Sequence, residues 1–387
     1  MNRIVKNEFC TRPMKITDMT VDRYERMGKS DMAFSGHEVV VVKVETDEGI
    51  TGTGFISSPV YPHGIASDVA ARLLNRNFKN IILGENPLYN EQLWLKMFDG
   101  PWRLGMRGMI RDCIAAIDFA LWDIKAKKLN VPLSDLFGSK RNKILTYANV
   151  GHQLPPDELA KKAVEYVEQG HTALKIRAGS VAVPIKEANK RVQAVREAIG
   201  PDVKLMVDIN GSWDTETAIQ QLKAWEKYDI YWLEEPVAPE DISGYARIRE
   251  YAGNTYIAGG EQNSGLTEFR QFIEKKALDI IQPNAMATGG ITDWLRIYHF
   301  ASAHNIPISP WNLQQIHIHL AAGLPNVKWV EYFSHNRDYF QDVLIKGPHI
   351  REVRGEDGVY LLAPEGPGIG IELDEEVAER THVKDTF

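Results

Sequence analysis

Two cysteines, Cys10 and Cys113, are all that the 387 residues contain. They are too few for a disulfide framework, and no Cys-x-x-Cys pair is present to hold zinc. A reducing, cytoplasmic compartment is the expectation. Long apolar runs are also missing. None approaches the roughly 18 residues a membrane helix needs, and MNRIVKNEFCTRP at the start has neither an apolar core nor a small-residue cleavage site, so no secretory signal is expected. Positive charge is in deficit, with 45 Lys and Arg against 52 Asp and Glu and a formal net charge of −7. That removes the basic surface that nucleic acid or an anionic membrane would select, and neither is expected as a partner. What remains is an ordinary globular balance, 44% apolar and 25% charged, with material for about two domains.

The texture changes along the chain. Residues 1–13 read as a short arm, or an extension from an upstream start. Residues 14–140 read as an α+β unit: MKITDMTVDRYER and HEVVVVKVETDEG form a β-meander, and 65–135 is helical. Within IRDCIAAIDFALWDIKAKKL the apolar face runs through Ile110, Ile114, Ile117, Leu121 and Ile124, with Trp122 expected in the core and Ala115, Ala116 and Ala120 allowing close packing. From 141 to 344 strands and helices alternate strictly. The strand-like runs are ILTYANV, TALKIRA, KLMVDIN, IYWLEEP, TYIAGGE, LDIIQPN, IPISPWN and VKWVEYF. Eight short apolar strands with crossovers between them argue for a parallel barrel in the α/β class. Residues 345–387 break into a Gly/Pro-rich segment expected to return to the first unit as a strand pair.

Three carboxylates close three successive runs: Asp208 in KLMVDIN, Glu234 in YWLEEP and Glu261 in YIAGGE. Their intervals, 234 − 208 = 26 and 261 − 234 = 27 residues, are each one strand, one loop and one helix. Acids at that period meet only if the strands are parallel and curve into a barrel, whose chemistry sits at the carboxyl ends of the strands. Oxygen-only ligands there suit a hard divalent cation, Mg²⁺ above all. Glu235, the neighbour of Glu234, must point elsewhere, since alternate strand residues face opposite ways. Asn210 is expected to orient ligands or substrate.

An α+β unit followed by a barrel with VDIN, LEEP, AGGE and QPN…TGG at successive strand ends resembles the enolase superfamily, and within it the mandelate racemase-like subgroup with its acid-sugar dehydratases. APEGPGIGIELDEE resembles the end of those enzymes. The resemblance covers nearly the whole chain from Met14. It implies a modified (β/α)7β TIM barrel under an N-terminal α+β capping domain, Mg²⁺ on Asp208, Glu234 and Glu261, and removal of a proton beside a carboxylate through a metal-stabilised enediolate. It also implies a homo-oligomer and a small acid sugar as substrate.

The sequence departs from that subgroup where protons move. The second barrel strand of the subgroup ends in Lys-x-Lys, whereas here it reads Lys175-Ile176-Arg177. The subgroup's His–Asp pair on the opposite face is replaced by Trp311 and Asn284, neither of which titrates. Racemisation, which needs bases on two sides, becomes unexpected. Arginine stays protonated and is a better anion clamp than base. Lys175 is expected to be the base, its pKa lowered by neighbouring Arg177; otherwise Arg177 takes the role with a loop residue, or both only neutralise the carboxylates. Asn210, Asn284, Trp311, His152 and Tyr61 are candidate substrate contacts. His63 lies in the same capping stretch as Tyr61, Arg103 and Arg107 either meet an anionic substrate or form a charged turn, and Gln315, His317 and His319 follow strand seven at the start of a helix.

Three activities fit. One is a Mg²⁺-dependent lyase dehydrating an aldonate or aldarate. Another is an isomerase or cycloisomerase of an acid-sugar lactone or anhydro sugar acid. The third is a metal-binding relative that binds acid sugars without turning them over.

Overall fold

The computed structural model describes residues 13–25, 38–57, 65–100, 102–151, 154–333, 344–346 and 350–384. Strands β1 (Ile16–Glu25), β2 (Glu38–Thr46) and β3 (Thr51–Ser57) form the expected antiparallel meander. Helices α1 (Ile65–Leu73), α2 (Lys79–Ile82), α3 (Asn90–Asp99) and α4 (Met109–Leu129) complete the cap. The meander lies directly on α4. A Cβ at Gly54 would stand 1.7 Å from the Ala116 carbonyl oxygen, and one at Gly52 would stand 2.1 Å from that of Ala120. Only glycine against alanine permits this approach of strand to helix. The alanines of α4 are therefore a packing surface, as their spacing suggested. Trp122 on the same helix is only partly buried, and its Nε1 donates to Thr292 Oγ1 at 3.0 Å.

The parallel strands follow: β4 (Ile144–Gly151), β5 (Ala173–Arg177), β6 (Lys204–Asp208), β7 (Ile230–Glu234), β8 (Tyr256–Gly259) and β9 (Ile280–Ile281), each paired with the next. Helices α5 (Pro156–Glu168), α6 (Ile185–Ile199), α7 (Thr215–Trp225), α8 (Ile242–Glu250) and α9 (Gly265–Glu274) cross between them. After β9 come α10 (Ile291–Ala303), α11 (Gln314–Gly323) and β10 (Val330–Tyr332), which pairs in parallel with β4. Between β9 and β10 the ladder narrows to single bridges, Ile281 with Ile308 and Ile308 with Val327. Val327 lies just before β10, whose pairing with β4 brings the chain back to the first parallel strand. IPISPWN, expected as a strand, is reduced to the single bridging residue Ile308 because Pro307 and Pro310 have no N–H for a ladder.

The end of the chain differs from expectation. The hairpin β11 (Arg351–Gly355) and β12 (Gly358–Leu362) docks on the barrel, with β12 antiparallel to β4. The return to the cap is made further on: Ile369 N–H donates to Asp123 Oδ1 of α4 at 2.8 Å, and His382, just after α12 (Glu375–Thr381), bridges Tyr24 of β1. Among the described residues no helix is long and apolar enough to cross a membrane.

Candidate active site at the mouth of the barrel

The barrel interior changes character one pleat below its carboxyl end. Tyr147, Ala173, Met206, Trp232, Ala258, Ile280 and Trp329 pack as an apolar floor. Two residues further on, β4, β5, β6, β7 and β10 carry Asn149, Lys175, Asp208, Glu234 and Glu331, and Gln282 follows β9, all of them buried. A strand repeats its facing every second residue, so one backbone supports both layers.

The polar layer is wired together. Lys175 Nζ donates to Glu234 Oε1 at 2.6 Å and to Glu331 Oε1 at 2.8 Å. Asn149 Nδ2 reaches the same Glu331 oxygen at 2.9 Å, and Glu331 Oε2 accepts from Asn312 N–H at 3.1 Å. Glu234 Oε2 accepts from Gln282 Nε2 at 2.8 Å and Trp232 Nε1 at 3.0 Å. Arg177 pairs in register with Asp208, and its Nη2 donates to Asp208 Oδ2 at 3.0 Å. The other Asp208 oxygen accepts from Asn210 N–H at 2.8 Å, an Asx turn that fixes the carboxylate as the strand ends. Asn210 Nδ2 reaches Glu261 Oε1 at 3.4 Å. Asn210 thus links the first and third acids, in line with an orienting role.

Strand ends at this mouth carry unusual backbone. Asn210 and Glu235 sit at φ 52° and 41°, and Asn312 and Leu313 at 52° and 48°. Such left-handed residues cost free energy and are held by the surrounding fold. At this kink Glu235 still lies within electrostatic reach of the other acids, and beyond burial, Asp208 and Glu234 both push its pKa up. Its Oε2 accepts from Gln262 Nε2 at 2.6 Å, while Oε1 is buried without a hydrogen-bond partner among the described residues.

Burial pushes Glu234 up to about 7, with Asp208 and Glu331 adding to it and Lys175 opposing. Burial also raises Glu235 to about 8, and lifts Glu261 well above the carboxylate range with help from Glu235 and Asp208. Lys175 corrects the sequence reading. Burial pulls its pKa down, but Glu234 and Glu331 outweigh that and hold the ammonium well above its ordinary value. The expected lowering by Arg177 does not occur, because Arg177 spends its charge on Asp208.

Asp208, Glu234 and Glu261 therefore end adjacent strands, as their spacing required, but they do not form a tight cage. Among the described residues no three His, Cys, Asp or Glu side chains stand close enough together to hold a metal ion. Glu234 is drawn to Lys175, and Asp208 to Arg177. The donor chemistry nonetheless fits a hard cation: all candidate donors are carboxylate oxygens, and Glu261 Oε2 is buried with no hydrogen-bond partner among the described residues.

Glu331 was not singled out from the sequence. A signal existed: Trp329-Val330-Glu331 repeats the pattern Trp232-Leu233-Glu234. Asn284 is at the mouth, but its side chain braces backbone, with Nδ2 donating to Trp311 O at 3.2 Å and Oδ1 accepting from Met286 N–H at 2.8 Å and Ala287 N–H at 3.2 Å. Trp311 ends strand seven, half-buried. Gln315, His317 and His319 are all buried in α11. His317 Nδ1 pairs with Asn312 O at 2.5 Å, Nε2 accepts from Ala285 N–H at 3.1 Å, and burial lowers its pKa to about 4. His319 Nε2 contacts Ile369 O at 2.9 Å. Arg107 ties cap to barrel, its Nε donating to Glu268 Oε1 at 2.7 Å and Nη1 pairing with Glu240 at 3.4 Å. Arg103 is exposed. His152, Tyr61 and His63 lie outside the described residues.

Residues 15–138 match the N-terminal domain of mandelate racemase/muconate lactonizing enzyme, and residues 158–377 match the enolase C-terminal domain-like family. The chain belongs to the mandelate racemase/muconate lactonizing enzyme family of the enolase superfamily. It is 32% identical over 357 residues to an L-talarate/galactarate dehydratase of Salmonella typhimurium, covering 90% of this chain and 84% of that one. It is 30% identical to a 3,6-anhydro-alpha-L-galactonate cycloisomerase of Streptomyces coelicolor, covering 88% of this chain and 91% of the other. Among solved structures, an L-talarate dehydratase from Polaromonas complexed with Mg and L-glucarate superposes with a TM-score of 0.82 at 29% identity, over 96% of this chain and 98% of that one. The mandelate racemase-like fold, a cap over a TIM-type α/β domain, stands as the sequence implied.

Proposed function

We propose that this chain is a Mg²⁺-dependent lyase that removes water from an acid sugar, an aldonate or aldarate, by way of an enediolate. The observation that carries the proposal is the polar ring at the barrel mouth. Asp208, Glu234 and Glu261 close adjacent strands, with Lys175 between Glu234 and Glu331 and Arg177 on Asp208. Asp208, Glu234 and Glu261 would hold the Mg²⁺. When bound, the cation stabilises negative charge developing on the substrate carboxylate.

Lys175 holds the proton in this chemistry, at Nζ. Held between Glu234 and Glu331 it is an ammonium, so it must first release its own proton to solvent, which becomes easier once one of those carboxylates engages another partner, and only then can the free amine take the proton from substrate. Arg177 stays charged and binds anionic oxygens. Asn210 fixes the orientation of Asp208 and Glu261. Trp311 and Asn284 put no titratable group on the far side, which argues against two-base racemisation. The same one-sidedness supports a second reading, a cycloisomerase in which a ring oxygen departs in place of water. A cytoplasmic homo-oligomer completes the proposal, and sedimentation of the purified protein tests its assembly.

The test is incubation with Mg²⁺ and a panel of aldonates and aldarates in D₂O. Formation of 2-keto-3-deoxy acids is expected. A ring change or exchange without water loss selects the cycloisomerase, and tight binding without turnover selects the non-catalytic relative. Lys175→Met is expected to lower turnover at saturating acid by about a hundredfold or more per folded molecule; intact turnover removes Lys175 as the base.

A further inference from the structure

TGG, one of the strand-end motifs, takes no part in the chemistry above. It lies at the end of the loop from Asn284 to Gly290, and the cap holds that loop from behind. Trp94 Nε1 of α3 donates to Gly289 O at 2.7 Å. Arg111 Nη1 of α4 donates to Thr288 O at 3.0 Å and pairs with Asp293 Oδ2 at 3.2 Å. Asp118, fully buried on α4, accepts from Thr292 N–H at 2.9 Å and from Thr292 Oγ1 at 2.6 Å. The N-cap of helix α10 is Gly290, which has no side chain to cap it, so Asp118 supplies the cap from another domain. The two glycines make room. A Cβ at Gly290 would stand 2.4 Å from Asp118 Oδ2, and one at Gly289 would stand 3.1 Å from Arg111 Cδ. Both have positive φ, 112° and 89°.

The front of the loop is bound as tightly. Gly290 N–H donates to Ala285 O at 2.7 Å and Thr288 N–H to Asn284 O at 3.0 Å. Asn284 in turn holds the Trp311 carbonyl at the end of strand seven, and Ala285 N–H is held by His317. Few internal degrees of freedom separate the cap carboxylate from the strand-seven end of the mouth.

We infer that Asp118 is a positioning residue: from the cap, through the Thr288–Gly290 loop and the Asn284 brace, it sets the strand-six and strand-seven side of the reaction site. The kinetic part of this inference rests on the proposed function. The structural part does not.

Asp118→Asn keeps the volume but places an amide against a donor. Amide exchange at 285–292 is expected to quicken while β6, β7 and β8 keep their protection; unchanged exchange in the loop, or an equal rise throughout the barrel, overturns the inference. Mg²⁺ affinity by calorimetry is expected to stay within about twofold, because the three acids lie on other strands, and loss of metal uptake overturns the assignment. With the acid turned over by the native protein, Asp118→Asn is expected to lower turnover about ten- to a hundredfold. In an Asn284→Ala background the same change is expected to cost less than about twofold, since both act through one connection; equal losses in the two backgrounds overturn the inference. If no acid is turned over, the proposed function fails and the exchange measurement still judges the clasp. Thr292→Val, which retains the backbone N–H bond, repeats the test with a smaller effect should Asp118→Asn not fold.

Discussion

The floor of the barrel and the layer above it are built on the same strands, and they behave as opposites. Ala173, Met206, Trp232, Ile280 and Trp329 belong to the floor; Lys175, Asp208, Glu234, Gln282 and Glu331 stand two positions further along. Below, the Tyr147 and Trp232 rings meet edge-on at 5.0 Å. That is apolar packing, the main favourable term in folding. Above, five carboxyls are buried beside Lys175 and the partly buried Arg177, oxygens of Glu235 and Glu261 lack hydrogen-bond partners among the described residues, and residues with positive φ follow the strand ends. Such a layer opposes folding, and it persists because the floor and the surrounding core offset it. Reactivity and stability are separated by one pleat.

The sharpest way to break the comparison is Glu261→Gln. Gln keeps an oxygen to accept from Asn210 and removes the need to take up a proton that burial beside Glu235 and Asp208 imposes on this carboxyl. Turnover is expected to fall about a thousandfold. Stability of the metal-free protein in urea is expected to rise, by about 1 to 3 kcal/mol. A variant that loses both activity and stability would show that the upper layer supports the fold.

Met206→Ala makes the opposite cut on β6, two residues before Asp208. Met206 is fully buried in the floor. Its truncation is expected to cost about 2 to 5 kcal/mol of stability, with turnover per folded molecule within about twofold of the native protein. Paired urea unfolding and rate measurements check both halves.

The two layers differed equally in how readable they were. Floor and strand ends follow a period of two, and acids recur at the interval of one β/α unit, so Asp208, Glu234 and Glu261 could be placed on adjacent strands before any coordinates. Their side-chain directions could not be read, because these depend on which cations lie opposite. Lys175 illustrates the point. Its strand and facing were legible, but its charge state is set by Glu234 together with Glu331, and Glu331 sits in a run that reads as one more apolar strand. Asp118 was hidden in another way. It lies in a helix whose alanines and isoleucines announce packing, and its partner, Thr292, is in a different domain. Strand seven was overcalled because Ile306 and Ile308 look strand-like, while the flanking prolines deny the ladder its donors.

His317 sharpens the comparison at its boundary. It is buried as deeply as the floor, yet it is titratable and adjoins the mouth loop through Ala285. Burial lowers its pKa to about 4, against the ordinary 6.5. The folded protein therefore holds it neutral while the unfolded chain takes up a proton below pH 6.5. Its contribution to stability is present above pH 6.5 and is lost as the pH falls from there toward 4, by at most about 3 kcal/mol. Carboxylates titrating over the same range obscure this in the native protein alone, so the informative quantity is the difference in urea stability between native and His317→Gln. That difference is expected to be largest at pH 7.5 and to shrink steadily toward pH 4, because Gln does not titrate. A difference independent of pH would mean that the neutral imidazole, for all its burial, is not what couples α11 to the mouth loop, and that the coupling rests on backbone geometry at Asn312 and Leu313 instead.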